Sequence, residues 1–240
     1  MAPRIGITTS FVDGEQRLRR DYVLAIERAG GLPFPCPMVA SDETRAAIAD
    51  LLDGLVVTGG PAVTEGLKGY LPDDLGTTDP VRSASDRHWV DLMDTAGRPI
   101  LGICYGMQLL NARAGGTIFG DVEHERDSTL THSQKRGAGG HKIEIEPDSM
   151  LHTMLGRLSV TVNTRHLQAI ATTGDGFRAS ATAPDGVIEA IEHQNGRILG
   201  LQFHPERMQK SMMPLFRSFV DRCRTVRRAS EPATRPSSAV

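Results

Sequence analysis

The sequence predicts an α/β fold with a mostly parallel central sheet, helices on its faces and an added region of antiparallel strands. Short apolar strands alternate with amphipathic helices through the first half of the 240 residues, as in a parallel sheet covered by helices. After residue 140 strands follow one another closely, and Asn195-Gly196 between two of them is a strong hairpin signal. No repeat or linker divides the chain, so we predict one domain over residues 1–228 and a disordered, Pro- and Ser-rich tail over 229–240.

The elements of the first half are bounded by caps and turns. The helix over 15–31 has an apolar face at helical spacing and ends at two glycines. Ser41 is placed to cap the next helix, and a glycine turn follows the buried strand "GLVVTGG". In order, we predict a strand over 4–9, a helix over 15–31, an extended segment over 32–37, a helix after Ser41, a strand over 54–60, a loop over 61–80, a helix over 83–96, and the strand "ILGIC" leading into the helix "GMQLLNARAGG".

The second half begins with a polar segment. Residues 120–140 contain several glycines, so we predict a surface loop there. We then predict the strands "HKIEIEP", "SVTVN", "FRASATA", "VIEAIEH" and "ILGLQF" and a final helix over about 211–227.

Composition excludes several classes of function. A formal net charge of −2 gives no electrostatic basis for binding nucleic acid or an anionic membrane. The three cysteines, Cys36, Cys104 and Cys223, are odd in number and far apart, which predicts no disulfide framework and a reducing compartment. No apolar run approaches the ~20 residues of a membrane helix, and the N-terminus lacks the regions of a signal peptide. We expect a soluble, cytoplasmic protein.

Cys104 lies in a segment with the form of a nucleophile elbow. In Gly102-Ile103-Cys104-Tyr105-Gly106 the cysteine stands between a strand and a helix, and the glycines leave room for a strained turn. The amides and positive dipole end of the helix would favour a thiolate at this position. The pentapeptide alone fits a buried structural thiol equally well.

A base and an oxyanion site are available elsewhere in the sequence. His204 ends the strand in "LGLQFHPER", and Glu206 lies two residues later, on the same side of an extended segment, where it could orient the imidazole. The glycines of Gly59-Gly60-Pro61 could turn a backbone N–H toward a developing oxyanion, alongside the N–H of Tyr105. A solvated histidine and an ordinary glycine turn are the alternatives for these two segments.

Together, "TGGP", "LGICYGMQLLN" and "LGLQFHPE" resemble, in order and spacing, the glutaminase domain of class I glutamine amidotransferases over about residues 4–220. The chain is most similar to the γ-glutamyl-γ-aminobutyrate hydrolase-like branch, a group of γ-glutamyl hydrolase-type cysteine peptidases, through "PRIGITTSF", "SASDRHWVDLM" and "VTVNTRHLQAI". The resemblance implies a flavodoxin-like fold and a glutamine amidotransferase-like catalytic domain over residues 1–228.

The same resemblance implies roles for individual residues. Cys104 would be the nucleophile, His204 the general acid and base, and Glu206 the residue that orients His204. The backbone N–H groups of Gly60 and Tyr105 would bind the oxyanion. Substrate contacts are implied for Gln108, Asn163, Thr164, His166 and Gln168.

Because the sequence departs from the branch in three segments, the resemblance does not identify the amine that would be the leaving group. Leu167 replaces the second histidine of a Val-Asn-Ser-x-His-His-Gln segment, and Thr164 replaces its serine. The residue after the nucleophile is often arginine in the branch, whereas Tyr105 resembles the glutaminase parts of synthetases. After the diglycine, "PAVTEGLKGY" replaces an Asp-Val-x-Pro type of continuation.

We therefore expect a stand-alone hydrolase of γ-glutamyl amides that passes through a Cys104 thioester and needs no metal or organic cofactor for any step. The alternatives are a glutaminase subunit that delivers ammonia to a separate synthetase, and a non-catalytic binding or regulatory homologue. A homodimer or a synthetase partner would be compatible with these readings. We expect residues 61–80 and 120–140 to border the site and to select the amine.

Three histidines, His124, His132 and His141, flank the polar loop. Their spacing matches no standard zinc pattern, so we expect them to be solvated and predict no metal site. Cys36 and Cys223 are interpreted as structural thiols.

Overall fold

The computed structural model describes residues 1–230, and side chains as far as residue 226. A nine-stranded sheet with the order β10-β9-β12-β13-β14-β7-β5-β1-β4 forms its centre. The main-sheet strands are β1 (Arg4–Ile7), β4 (Leu32–Pro35), β5 (Gly54–Val57), β7 (Ile100–Ile103), β9 (His141–Ile145), β10 (Ser159–Val162), β12 (Phe177–Thr182), β13 (Ile188–His193) and β14 (Ile198–Leu201). The pairs from β4 to β14 are parallel and those from β14 to β10 are antiparallel, which confirms the predicted fold class.

Helices cover both faces of the parallel part. The described helices are α1 (Arg20–Arg28), α2 (Asp42–Ala49), α3 (Pro80–Thr95), α4 (Tyr105–Arg113), α5 (Val122–Glu125), α6 (Met150–Leu155) and α7 (Met213–Ser230). Helices α1 and α7 lie on one face of the parallel part, and α3 and α4 lie on the other. Successive residues of β5 pack into different apolar clusters, since Val56 joins the cluster under α1 and α7 whereas Leu55 and Val57 join the one under α3 and α4. The buried strands are therefore apolar on both faces, as their sequences predict.

The predicted helix over residues 15–31 is wrong at its start. Residues Glu15–Arg17 form β3, which pairs with β2 (Ser10–Val12), and α1 begins only at Arg20. Asp13 and Gly14 between the two strands have φ values of 54° and 77°. An Asp-Gly pair with positive φ at both positions is a strong local signal for a tight hairpin, and here it outweighs the helical spacing of the residues that follow.

Two predicted loops contain regular structure. Residues 61–80 include β6 (Leu67–Lys68), which joins β8 (Thr117–Phe119) and β11 (Ala169–Thr172) in a small second sheet. Residues 120–140 include α5 and a 3-10 turn, Gln134–Arg136. The predicted tail over 229–240 begins within the last turn of α7 and otherwise lies outside the described residues. In the part of the chain that is described, no helix has the length and apolarity to cross a membrane.

Candidate active site

Two neighbouring strands bring Cys104 and His204 to the same edge of the sheet. β7 and β14 are parallel and in register, with Gly102 opposite Gly200 and Ile103 opposite Leu201. Cys104 follows β7 directly, and its N–H donates to the carbonyl of Leu201 (2.7 Å). Because functional residues of parallel sheets collect at the carboxyl ends of strands, this edge is where the sequence predicted the site.

Cys104 has a strained backbone, as expected of a nucleophile elbow. Its φ and ψ are 53° and −107°, a conformation that a non-glycine residue rarely adopts. The glycines on either side are needed for space: a Cβ at Gly102 would lie 2.6 Å from Leu110 Cδ1, and one at Gly106 would lie 2.3 Å from the carbonyl oxygen of Val57. Strand and helix therefore pack closely around a turn that presents the Cys104 side chain.

Glu206 contacts His204 through a local turn. The Nδ1 atom of His204 lies 2.8 Å from Oε1 of Glu206, and both side chains are buried. The two side chains are therefore in contact, and the orienting role of Glu206 stays a prediction. The expected extended segment is wrong. Residues Pro205–Arg207 form a 3-10 turn, because Pro205 suits the first position of a helical turn, and this turn brings Glu206 back under the imidazole.

The surroundings of His204 favour its protonated form. Burial is the largest single influence and lowers its pKa, but hydrogen bonds with Cys104 and Glu206 and the negative charges of these groups raise it to about 9. His204 can therefore hold a proton between the Cys104 sulfur and the Glu206 carboxylate near neutral pH. The asparagine amide of Asn163 fixes the backbone of His204, with Nδ2 donating to its carbonyl (2.8 Å) and Oδ1 accepting from its N–H (2.9 Å).

The diglycine runs close to His204 and to a buried arginine. A Cβ at Gly59 would lie 2.7 Å from Cε1 of His204, and one at Gly60 would lie 2.5 Å from Nη1 of Arg82. The Gly59 N–H donates to the hydroxyl of Tyr22 (2.9 Å). Among the described residues neither Gly60 nor Tyr105, the first residue of α4, donates its backbone N–H to a protein acceptor. Both N–H groups are thus available to bind an oxyanion.

Arg82 is a site residue that the sequence analysis missed. Its Nη2 donates to the carbonyl of Gly59 (3.0 Å), its Nε donates to Asp86 (3.1 Å), and its guanidinium carbon lies 4.5 Å from the centre of the Tyr105 ring. Arg82 and Asp86 are one helical turn apart on α3, each with 1% side-chain exposure. In the sequence this pair is indicated only by an arginine and an aspartate four residues apart. That spacing does not show which loop the arginine contacts. Through these contacts Arg82 joins the diglycine to the residue after Cys104.

A cleft of about 160 Å³ opens beside Cys104 and is here called the amide cleft. Gly60, Gln108, His166 and Gln168 line it, together with residues from both predicted border loops: Pro61, Ala62 and Leu75 from 61–80, and Ser133, Gln134 and Lys135 from 120–140. Both loops therefore border the cleft beside Cys104. That they select the amine stays a prediction.

The five implied substrate residues divide into two groups. Gln108, His166 and Gln168 line the amide cleft, where Gln108 Nε2 donates to the carbonyl of Gln168 (3.1 Å). Asn163 does not line it and instead holds the His204 backbone. Thr164 does not line it either, and its hydroxyl donates to the carbonyl of His132 (2.6 Å). Asn163 therefore positions the backbone of His204, and Thr164 positions that of His132.

A second cleft, of about 320 Å³, lies on the side of Cys104 that faces His204, and we call it the arginine cleft. Five arginines line it: Arg17, Arg19, Arg82, Arg165 and Arg207. Arg207 and Arg19 repel the charge of Arg165, and burial followed by these two charges lowers the pKa of Arg165. Arg165 makes no ion pair with any described residue, so an unneutralised positive charge remains at the junction of the two clefts.

The expectation of three solvated histidines is wrong for two of them. His124 is exposed, but His132 is fully buried and the side chain of His141 is 7% exposed. Both contact Glu189, a fully buried carboxylate on β13. The sequence could not show this, because the loop folds back onto a strand that is about 50 residues distant. The structural reading of Cys36 and Cys223 fits their burial.

Comparison with known proteins gives the chain a family. The Peptidase C26 model matches residues 5–206, which include the elbow, His204 and Glu206. The chain belongs to the Peptidase C26 family. Membership of a peptidase family supports a hydrolase, the enzyme class that the sequence predicted.

Relatives of this Peptidase C26 protein are named as glutamine amidotransferases and γ-glutamyl-γ-aminobutyrate hydrolases, the two groups that its sequence resembles. It is 31% identical over 92% of its length to "Putative glutamine amidotransferase PB2B2.05" of Schizosaccharomyces pombe, of which 86% is covered. It is 30% identical over 80% of its length to the γ-glutamyl-γ-aminobutyrate hydrolase PuuD of Escherichia coli K12, of which 79% is covered. A solved structure titled "putative gmp synthase subunit a protein", from Thermoplasma acidophilum, matches with a TM-score of 0.70 at 19% sequence identity. The match covers 97% of this chain and 99% of that chain. That likeness confirms the fold.

Proposed function

We propose that this protein is a stand-alone hydrolase of γ-glutamyl amides, which releases L-glutamate and an amine through a thioester on Cys104. One observation carries the proposal: Cys104 stands at a strained elbow between the paired His204 and Glu206 and a cleft lined by amide side chains. A nucleophile, a base and a residue that orients the base are the parts that acyl transfer requires.

The reaction proceeds by acyl transfer. The Cys104 thiolate attacks the γ-carbonyl carbon, and the backbone N–H groups of Gly60 and Tyr105 bind the oxyanion. His204 donates its proton to the leaving nitrogen as the C–N bond breaks, which leaves the glutamyl group as a thioester. His204 then takes a proton from water, and the resulting attack releases glutamate and the thiol. Glu206 holds the imidazole in position throughout.

The amide cleft suits the glutamyl part of the substrate. Gln108 and Gln168 supply amide groups at its wall, and Lys135 and Arg165 supply positive charge. A glutamyl group carries an α-carboxylate, which these cations complement.

The arginine cleft suits an amine that carries a carboxylate of its own. It adjoins His204, the group that protonates the leaving nitrogen, and five arginines line it, of which Arg165 makes no ion pair with any described residue. A cationic cleft attracts anions and repels cations, so the γ-glutamyl conjugate of an amino acid fits better than that of a diamine. γ-Glutamyl-γ-aminobutyrate, the substrate named for the Escherichia coli relative, has such a carboxylate.

The second candidate is a glutaminase subunit that passes ammonia to a synthetase. It is favoured by the end-to-end match with a structure titled as a synthase subunit, and by a tyrosine after the nucleophile, as in the glutaminase parts of synthetases. The third candidate is a non-catalytic homologue, in which the same residues only bind a ligand.

One assay separates the three candidates. Glutamate release by the purified full chain is measured with L-glutamine, γ-glutamyl-γ-aminobutyrate and a γ-glutamyl diamine, with Cys104→Ser as the blank. We expect kcat/KM for the γ-aminobutyrate conjugate to exceed that for the diamine conjugate at least tenfold, and Cys104→Ser to release no glutamate above background. Turnover of glutamine alone would favour the glutaminase. Equal inactivity of both proteins on all three substrates would favour a glutaminase that needs its synthetase or the binding homologue, and Cys104→Ser assayed together with a synthetase partner separates these two.

A further inference from the structure

Four buried side chains from distant parts of the chain meet beside the amide cleft, and we call them the histidine cluster. His132 comes from the loop after α5, His141 begins β9, His166 follows β10, and Glu189 lies on β13. The side-chain exposures are 0% for His132 and Glu189, 1% for His166 and 7% for His141. The reaction proposed above uses none of their ring nitrogens or carboxylate oxygens.

Three members of the cluster lie close enough together to share one metal ion. From Oε1 of Glu189, Nε2 of His141 lies at 2.9 Å and Nδ1 of His132 at 3.6 Å. The second distance exceeds a normal hydrogen bond. Zinc ligands at about 2.0–2.1 Å in a tetrahedron stand roughly 3.3 Å apart, which is close to both values. Nε2 of His166 lies 3.4 Å from the same oxygen but is not part of this group. The ligand atoms of His132, His141 and Glu189 all lie within 4.8 Å of one another.

Lone pairs of the cluster are left without partners. Nδ1 of His132, Nε2 of His166 and Oε2 of Glu189 are buried and make no hydrogen bond. Nδ1 of His166 lies 3.0 Å from the carbonyl of Gln168, which can only accept, so that nitrogen carries the proton and Nε2 presents a lone pair. Buried polar atoms without partners are costly, and one cation would satisfy those of His132 and Glu189.

His132 has the outer contact of a metal ligand. Its Nε2 lies 2.8 Å from Oδ2 of Asp185, so this nitrogen donates and Nδ1 is left to face Glu189. A carboxylate that accepts from the distal nitrogen of a histidine is the usual outer partner in zinc sites.

We propose that His132, His141 and Glu189 bind one divalent zinc-type cation, with Asp185 orienting His132. Two imidazoles and one carboxylate favour zinc over magnesium or calcium, which prefer all-oxygen sites. Three protein ligands leave the fourth position of a tetrahedral site to a water molecule. The cation joins the loop 120–140, which lines the amide cleft, to β9 and β13.

The test uses the purified full chain, stripped with a chelator and titrated with zinc chloride. Metal content is measured by mass spectrometry after gel filtration, and cobalt(II) is used as a spectroscopic probe. The ligand variant is His141→Gln, at the most accessible ligand, and the outer-contact variant is Asp185→Asn. The matched controls are His124→Gln, an exposed histidine of the same loop, and Cys104→Ser, which removes the thiol that is a rival zinc ligand.

We expect one zinc per chain and the intense visible absorption of tetrahedral cobalt. At a hundredfold excess over Kd the melting temperature should rise by roughly 5–10 °C. His141→Gln should abolish the cobalt absorption, Asp185→Asn should weaken zinc binding about 10- to 100-fold, and both controls should bind as the parent does.

Three results would overturn the proposal: zinc well below one equivalent in the parent, unchanged binding in His141→Gln, or loss of binding in Cys104→Ser. Should His141→Gln fail to fold, the cobalt spectrum of the parent decides, because a chain without the tetrahedral bands lacks the site. None of these readouts depends on glutamate release, so the proposed function and this site can fail separately.

Discussion

Nδ1 of His204 lies 2.8 Å from Oε1 of Glu206 within a single 3-10 turn, so the pair is formed by residues only two positions apart in the chain. The same carboxylate oxygen also accepts from Nε of Arg207 (3.4 Å). We predict that Glu206→Gln lowers kcat/KM for the preferred γ-glutamyl amide by about 10²- to 10⁴-fold, because the charge that orients and stabilises the imidazolium is lost. Steady-state glutamate release measures this, with the exposed Glu27→Gln as control. A loss below threefold would contradict the orienting role of Glu206.

The raised pKa of His204 predicts a pH profile. Burial lowers this pKa, but Cys104 and Glu206 raise it to about 9, so the imidazole should keep its proton over the neutral range and lose it above about pH 9. Since that proton goes to the leaving amine, kcat/KM should fall on the alkaline side with this apparent pKa. In Glu206→Gln the alkaline fall in kcat/KM should occur at lower pH, because a negative charge that favours the imidazolium is gone. An alkaline limb at the same pH in both proteins would argue against this assignment.

Gly59 is predicted to be needed for space rather than for backbone freedom. In Gly59→Ala the new methyl group would lie 2.7 Å from Cε1 of His204, so the ring must shift. Displacement of a catalytic group by about 1 Å costs roughly 100-fold in rate, and we expect a loss of that order in kcat. Gly76→Ala, in the loop that borders the amide cleft, is the matched control because nothing lies within 4 Å of its added methyl group. Equal activity of the two variants would show that His204 tolerates the crowding.

Asp86 should make stability depend on pH. Burial raises its pKa and Arg82 lowers it, with a net value of about 6 against an ordinary 3.8. The folded protein thus binds this proton more tightly than the unfolded chain. The stabilisation is complete below about pH 4 and is lost as the pH rises through 6. The destabilisation caused by Asp86→Asn should accordingly be larger at pH 4 than at pH 7, by up to about 3 kcal/mol.

Urea unfolding at the two pH values measures this difference for Asp86→Asn and for the exposed Asp73→Asn. Asp73→Asn should change the free energy of unfolding by the same small amount at both pH values. A destabilisation by Asp86→Asn that does not change with pH would mean that Asp86 titrates alike in the folded and unfolded chains.

Features encoded within a few consecutive residues could be predicted from the sequence. The elbow at Cys104 follows from two spaced glycines after an apolar strand, and the hairpin between β13 and β14 follows from Asn195-Gly196. The Asp13-Gly14 hairpin was equally readable, but the helical spacing of the residues after it concealed the signal.

Features made by distant segments could not be predicted. The contact of Arg82 with the carbonyl of Gly59 depends on how α3 packs against the end of β5, and neither segment alone indicates the other. The burial of His132 depends on a loop that folds onto β13. The 3-10 turn at Pro205 shows a further limit, since the right pair of residues was predicted with the wrong local backbone.

Because β7 and β14 are hydrogen-bonded neighbours, the spacing between Cys104 and His204 is set by the ladder of the sheet, at about 4.8 Å between strands. The walls of the amide cleft instead come from separate loops, such as Leu75 and Lys135. The proposed bond-breaking residues and the proposed determinants of substrate choice are thus encoded in different parts of the chain. A loop can be shortened, lengthened or replaced without moving Cys104, so the proposed activity predicts a scaffold suited to the selection of hydrolases of new amides.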